Sequence, residues 1–144
     1  MSDAPRAISS QFTVQHTAPP PVGTVIDHAA TLQQEFRPWG NFLVLRDEPH
    51  YKLKQLQVLP GQRLSLQSHH HRQEHWIVTQ GTPEITVDDR TWIAKVGETI
   101  FIPQQAKHRL ANPTDSLVEL IEVQLGASFE ESDIVRYADD YQRV

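Results

Sequence analysis

The stretch Gly61-Gln62-Arg63-Leu64-Ser65-Leu66-Gln67-Ser68-His69-His70-His71-Arg72-Gln73-Glu74 decides how the chain is read. From Arg63 to His69 it alternates strictly, with Leu64 and Leu66 on one face and Arg63, Ser65, Gln67 and His69 on the other. A period of two is the mark of a β-strand. Gln67 and His69 therefore point the same way, about 7 Å apart along the strand. Two such side chains can converge on one ion where a strand lines a barrel mouth. Glu74, after a tight bend at the start of the next strand, can add a carboxylate. Imidazole, amide oxygen and carboxylate form a mixed nitrogen–oxygen set suited to Zn²⁺, Mn²⁺, Fe²⁺, Co²⁺ or Ni²⁺. Taken alone, three consecutive histidines could equally be a solvated polar turn.

Outward from this stretch the chain continues as short strands broken by turn residues. Asn41 to Leu45 and Tyr51 to Leu59 precede it, ending at the turn Pro60-Gly61. Glu74 to Thr79, Glu84 to Val87, Thr91 to Lys95, Thr99 to Ile102, His108 to Ala111 and Leu117 to Leu125 follow, with Gly81-Thr82-Pro83 and Asp88-Asp89 as turns between them. Many short strands at regular spacing, with no long amphipathic helix, indicate an all-β sandwich or barrel. A short C-terminal helix is expected around Asp133 to Tyr141. Residues 1–30 lack periodicity and contain Ala18-Pro19-Pro20-Pro21, which reads as a disordered, Pro-rich N-terminal tail or an arm that packs on a partner subunit. Residues 31–144 are expected to form the folded domain.

Composition narrows the classes. A chain of 144 residues, 38% hydrophobic and 22% charged, suits one soluble domain. A net charge of −5 argues against a general nucleic-acid or membrane-surface binder. No apolar run approaches the roughly 18–20 residues that span a bilayer, and no leader pattern opens the chain; a cytoplasmic location is the expectation. The absence of cysteine excludes disulfides and thiolate metal sites, so any metal is held by His, carboxylate or amide oxygen.

Two spacings then separate metal site from polar turn. Gly61 is followed after five residues by Gln67-Ser68-His69, after four more by Glu74, and after six more by Gly81. Gly97 is followed after five residues by Pro103-Gln104-Gln105, after two more by His108, and after three more by Asn112. This pattern resembles the two motifs of the cupin superfamily, with Gln67 in the place of the first His and Gln105 where a turn Gly is usual. The resemblance implies a cupin-type β-barrel, a double-stranded β-helix or jelly roll. It assigns Gln67, His69, Glu74 and His108 as metal ligands, with His71 as an alternative that strand parity cannot exclude. His70 and His75 are expected to point away from the site. Zinc is the first expectation for the ion, with Mn, Co, Ni or Fe as alternatives.

Further stretches resemble the type II phosphomannose isomerase domain: Arg37-Pro38-Trp39-Gly40, Tyr51-Lys52-Leu53-Lys54, Glu74-His75-Trp76-Ile77-Val78, Lys107-His108-Arg109-Leu110 and Asp133-Ile134-Val135-Arg136-Tyr137. The likeness covers residues 35 to 143. It implies a metal-dependent isomerase interconverting mannose 6-phosphate and fructose 6-phosphate through an enediol. In that family the domain usually follows a nucleotidyltransferase domain. This sequence has no glycine-rich nucleotide loop, so guanylyltransferase activity is not expected of it. The reaction needs cations for the phosphate, and Arg37, Lys52, Lys54, Arg63 and Arg109 are the candidates. It also needs a base, for which Glu74, Glu119, Lys54 and a metal-bound hydroxide compete, with Arg109 as a further catalytic candidate. Trp39 and Trp76 are expected to fill the core. The competing readings are a sugar- or nucleotide-sugar-binding cupin without turnover, and a cupin enzyme of other chemistry. A homodimer is the expected assembly, and a small sugar phosphate the expected ligand.

Overall fold

The computed structural model describes residues 32–143; the expected N-terminal tail lies outside them. Eleven strands follow in order: β1 (Gln33–Arg37), β2 (Gly40–Asp47), β3 (Lys52–Val58), β4 (Leu66–Ser68), β5 (Arg72–Gln80), β6 (Glu84–Val87), β7 (Arg90–Ile93), β8 (Thr99–Ile102), β9 (His108–Ala111), β10 (Val118–Gly126) and β11 (Val135–Ala138). They form two antiparallel sheets, one of six strands in the order β1-β2-β3-β10-β5-β8 and one of five in the order β11-β4-β9-β6-β7. The two sheets enclose the core in the manner of a jelly roll, as the turn-punctuated pattern predicts.

The expected C-terminal helix is not formed. Residues 135–138 are instead strand β11, which pairs with β4 through Val135↔Ser68 and Arg136↔Gln67. The physical reason is local and tertiary together. Ile134, Val135 and Tyr137 favour extended backbone, and β4 would otherwise stand as an unpaired edge. Asp133 adds a second anchor, because its carboxylate accepts the backbone N–H groups of His70 and His71, both at 2.9 Å. Tyr137 and Ser68 share a hydroxyl contact of 2.9 Å, and Arg63 grips Asp140 with two bonds of 2.7 and 2.9 Å.

Burial alternates along the central strands, and the buried side chains change character partway. On β3 they run Lys52, Lys54, Leu56, Val58; on β10, Val118, Leu120, Glu122, Gln124; on β5, Arg72, Glu74, Trp76, Val78. Register stacks like with like: Leu120 faces Leu56 and Val78, Glu122 faces Lys54 and Trp76, and Gln124 faces Lys52 and Glu74. One end of the barrel is therefore a dry core, joined by Ile85, Leu110 and Ile102 from the other strands. The other end is a buried floor of charged and amide groups. The dry end supplies the hydrophobic stabilisation, at roughly 25 cal/mol per Å² of apolar surface buried, that offsets the polar end.

Two backbone positions tie the turns to this frame. Gly81 has φ +80°, and a Cβ there would lie 2.6 Å from the Leu117 carbonyl oxygen, so the motif glycine is a steric requirement. Gln105 also takes a left-handed conformation, φ 69°, at the position where the motif prefers glycine. Its N–H donates to the His69 carbonyl at 2.9 Å. The strained turn thus holds a candidate ligand in place. Gln105→Gly should raise stability by about 1 kcal/mol, the left-handed penalty less the added freedom of the unfolded chain. Urea unfolding at neutral pH reads this directly, and a lower midpoint would mean that the turn carries no strain.

Candidate metal centre

Three buried side chains meet above the polar floor. His69 follows β4, Glu74 lies near the start of β5, and His108 opens β9. One donor atom from each falls within 4.8 Å of the others. His69 Nε2 is 3.2 Å from Glu74 Oε1, and His108 Nε2 is 3.8 Å from Glu74 Oε2.

Hydrogen bonds set the imidazole tautomers. His69 Nδ1 lies 2.6 Å from the Asp133 carbonyl and His108 Nδ1 lies 3.0 Å from the Ala106 carbonyl. A carbonyl only accepts, so both Nδ1 atoms carry hydrogen and both Nε2 atoms face Glu74. Burial holds His108 below its ordinary value despite the opposing pull of Glu74, which keeps it neutral. Its Nε2 is buried without a hydrogen-bond partner. For Glu74, 1% exposed, burial pushes the carboxyl up. His69, His108 and Arg72 more than offset this and hold it well below the usual carboxylate range. Two inward imidazole Nε2 atoms, one of them buried without a partner, and an anionic carboxylate fit a divalent cation bound by nitrogen and oxygen.

The remaining candidates sort by the fold. Gln67 pairs across strands with His108 and lines the cavity, its Oε1 accepting from Ser65 Oγ at 2.9 Å. The alternative ligand His71 is exposed and does not join the cluster; His70 and His75 are also exposed. Trp39 and Trp76 belong to the core and also wall the cavity. Lys54 and Arg37 line the cavity as well. Lys52 is buried beneath it, donating to the Phe129 carbonyl at 3.4 Å and reaching Glu131 at 3.5 Å. Arg63 and Arg109 are not brought into the cavity. Arg63 is drawn outward by Asp140, while Arg109 spends its guanidinium on the Leu64 and Ala138 carbonyls at 3.0 and 3.1 Å. Glu119 falls on the outer face of β10, accepting from Gln55, Gln57 and Thr79.

The cavity, about 130 Å³, also contains groups that the sequence reading left without a role. Arg72 reaches Glu74 Oε1 at 3.2 Å and His69 Nε2 at 3.3 Å. Trp76 Nε1 donates to both Glu74 Oε2 and Glu122 Oε2 at 3.0 Å. Glu122 is raised to about 8, chiefly by burial and then by the neighbouring Glu74, with Lys54 opposing. The signal for Glu122 was present in the alternation of β10, where it falls in phase with Val118 and Leu120. Glu131, Arg136 and Arg143 come from the segment after β10, whose position over the cavity depends on the β11–β4 pairing. Burial pushes the Glu131 carboxyl up, but Lys54, with Lys52 and Arg72 behind it, holds it at about 2, below its ordinary 4.5.

Known structures and relatives bear on the fold and the family. The chain matches a cupin-2 domain from Rhodospirillum rubrum with a TM-score of 0.60 at 16% identity, covering 71% of this chain and 78% of that one. It matches the capsular polysaccharide assembling protein CapF of Staphylococcus aureus with a TM-score of 0.65 at 20% identity, over 78% of this chain and 33% of that one. Likeness at such identities defines the fold, which is the cupin fold. The model of the family described as mannose-6-phosphate isomerase C-terminal matches residues 26–139, and the chain belongs to that family. Among curated relatives, mannose-1-phosphate guanylyltransferase of Escherichia coli (strain K12) is 43% identical over 112 residues, which are 78% of this chain and 23% of the relative. The alginate biosynthesis protein AlgA of Pseudomonas aeruginosa is 45% identical over 108 residues, 75% of this chain and 22% of the relative. The chain thus spans less than a quarter of the length of these relatives.

Two outcomes are expected. His108→Ala should lose most bound metal, measured by elemental analysis after loading with Zn²⁺, while keeping its β-sheet circular dichroism; His70→Ala should retain the wild-type stoichiometry. Unchanged metal content in His108→Ala would refute the cluster. For Glu131 the folded value lies below the unfolded one, so its ion pair contributes fully above about pH 4.5 and is lost as pH falls toward 2. Half of that side chain faces solvent, so screening keeps the contribution small. Between pH 7 and pH 3, wild type should lose more stability to urea than Glu131→Gln does.

Proposed function

We propose that this cupin interconverts mannose 6-phosphate and fructose 6-phosphate with the help of a divalent ion. The observation that supports the reading best is the His69–Glu74–His108 cluster at the floor of a cavity otherwise rich in cations, in a chain of this family. Five cationic side chains and three carboxylates line the cavity, so it favours an anion although the protein as a whole is acidic. Zinc is the ion we assign first, held by His69, Glu74 and His108 with Gln67 beside them. When bound it would polarise the oxygens of the substrate as a Lewis acid.

The protein's own groups then have definable tasks. A proton must leave C2 of the aldose and return at C1, while a hydroxyl proton passes from O2 to O1. Glu74 faces the ion site and Arg72, and Lys54 is paired with Glu131, which leaves Glu122 as the buried carboxyl of the cavity placed to carry that proton. Trp76 fixes the Glu122 carboxylate from below, and Trp39 and Phe42 exclude water from the wall. We place this chemistry in the cytoplasm. We also propose a homodimer, formed through the outer face of the six-stranded sheet where Ile77 and Phe101 are exposed.

A second reading rests on the length of the relatives. Because the chain corresponds to less than a quarter of proteins named mannose-1-phosphate guanylyltransferase, the second reading is a domain that binds a sugar phosphate or nucleotide sugar without turning it over. A coupled assay with mannose 6-phosphate, in chelator and then with added Zn²⁺, Mn²⁺ or Co²⁺, decides between them. Metal-dependent fructose 6-phosphate is the expected product. Binding of mannose 6-phosphate without turnover under any metal would favour the binding module. In the active protein, Glu122→Gln should lower kcat by about 10²-fold or more with metal content unchanged; full activity in that variant would remove Glu122 as the base.

A further inference from the structure

The cations over the cavity differ in how far their charge is already spent. Lys54 is paired with Glu131, and Lys52 shares the same carboxylate. Arg143 grips Asp139 with Nε at 2.7 Å and Nη2 at 2.9 Å. Arg37 is paired with Glu35. Arg72 is shared among Glu74, His69 and the Glu130 carbonyl. Arg136 alone among the cations lining the cavity makes no hydrogen bond or ion pair with any described residue, and its Nε is buried without a partner.

Register shows where this guanidinium points. Arg136 lies opposite Gln67, and Gln67 lies opposite His108. Directly paired residues of an antiparallel sheet share a face, so Arg136, Gln67 and His108 form one row across the inner surface. Two strand spacings put the Arg136 backbone about 10 Å from that of His108. Arg143 and Arg37 line the same cavity and are close enough for their charges, together with burial, to depress Arg136 from its ordinary value. The two carboxylates whose charges act on it, Asp139 and Glu131, are the ones already claimed by Arg143 and Lys54. A half-buried guanidinium among like charges, with its buried Nε unbonded, lacks a counter-anion.

We propose that Arg136, flanked by Arg143 and Arg37, is a binding site for a phosphomonoester dianion, positioned so that the far end of the same ligand reaches the His69–Glu74–His108 cluster. This rests on the sugar-phosphate reading of the cavity and deepens it, by assigning the phosphate to β11 and not to the arginines of β9 or the β3–β4 connection. An acyclic hexose 6-phosphate carries its reacting carbons and its phosphate at opposite ends, as the row from His108 to Arg136 requires. The planar fork of Arg136 can give paired hydrogen bonds to two phosphate oxygens. Arg143 stays tied to Asp139 and supplies a wall of the site, and Arg37 supplies another.

The test is calorimetric titration of the Zn²⁺-loaded full chain with inorganic phosphate, mannose 6-phosphate and mannose, for wild type, Arg136→Gln and Arg136→Lys. Wild type should bind mannose 6-phosphate at least 10-fold more tightly than mannose. Arg136→Gln should erase that advantage and weaken inorganic phosphate to a similar degree, with Zn²⁺ content unchanged; Arg136→Lys should recover part of it. If Arg136→Gln does not fold, judged by circular dichroism, the Arg136→Lys variant and Arg143→Gln carry the comparison, each expected to lose several-fold in phosphate affinity. Wild-type affinity for phosphate in the folded variants overturns the proposal, as does a wild type that binds mannose and its phosphate equally. The two readings fail separately: phosphate binding that needs Arg136 without any turnover removes the isomerase and leaves this site. Turnover with unchanged KM in Arg136→Gln does the reverse.

Discussion

The constraint on which this molecule depends is a carboxylate sealed from water. Glu74 is 1% exposed, and an isolated carboxylate at such a place would be prohibitively costly. Everything around it answers that cost. Arg72 contributes a charge from two residues away, Trp76 donates a hydrogen bond, and two imidazoles turn their Nε2 atoms toward it. The same three donors fit a cation among them. The site is therefore a solution to a charge problem posed by the barrel.

The barrel can pose that problem because its strands are two-ended. The same alternation that places Leu56, Leu120 and Val78 in the dry core places Lys54, Glu122 and Glu74 in the polar half, a few residues along the same faces. Long-range antiparallel register, not local propensity, makes the polar groups meet. Changing the phase of any one strand by a residue would turn its share of both core and site outward together. Stability and chemistry are thus carried by one pattern.

Much of this was legible in the chain itself. Motif spacing singled out His69, Glu74 and His108, which the fold brings together, but of the alternating strand expected over residues 63–69 only Leu66–Ser68 forms, and burial does not alternate along the stretch. His71 has the same parity as His69, yet Asp133 captures its N–H and that of His70, bending the chain so that the ring leaves the site. That capture depends on a residue more than sixty positions away, which no periodicity within the histidine run reveals. Arg63 and Arg109 were drawn to the site by proximity in sequence; in space Asp140 and two carbonyls claim them. Such arginines go to whichever acceptor the tertiary fold supplies, and here Asp140 and the Ala138 carbonyl came from the segment expected to be helical. Glu122 is the opposite case, since its phase with Val118 and Leu120 already marked a carboxylate facing inward.

The brevity of β4 has a consequence for biosynthesis. Three residues long, it touches β9 through a single residue pair and gains its other neighbour only from β11. On the ribosome, strands β1 to β10 can emerge and begin to pair while β11 is still inside the exit tunnel. During that interval the histidine run has no Asp133 to hold its backbone and His69 has no carbonyl to orient its ring. Assembly of the candidate metal centre is in that sense a late event in synthesis, gated by the emergence of residues 133–138.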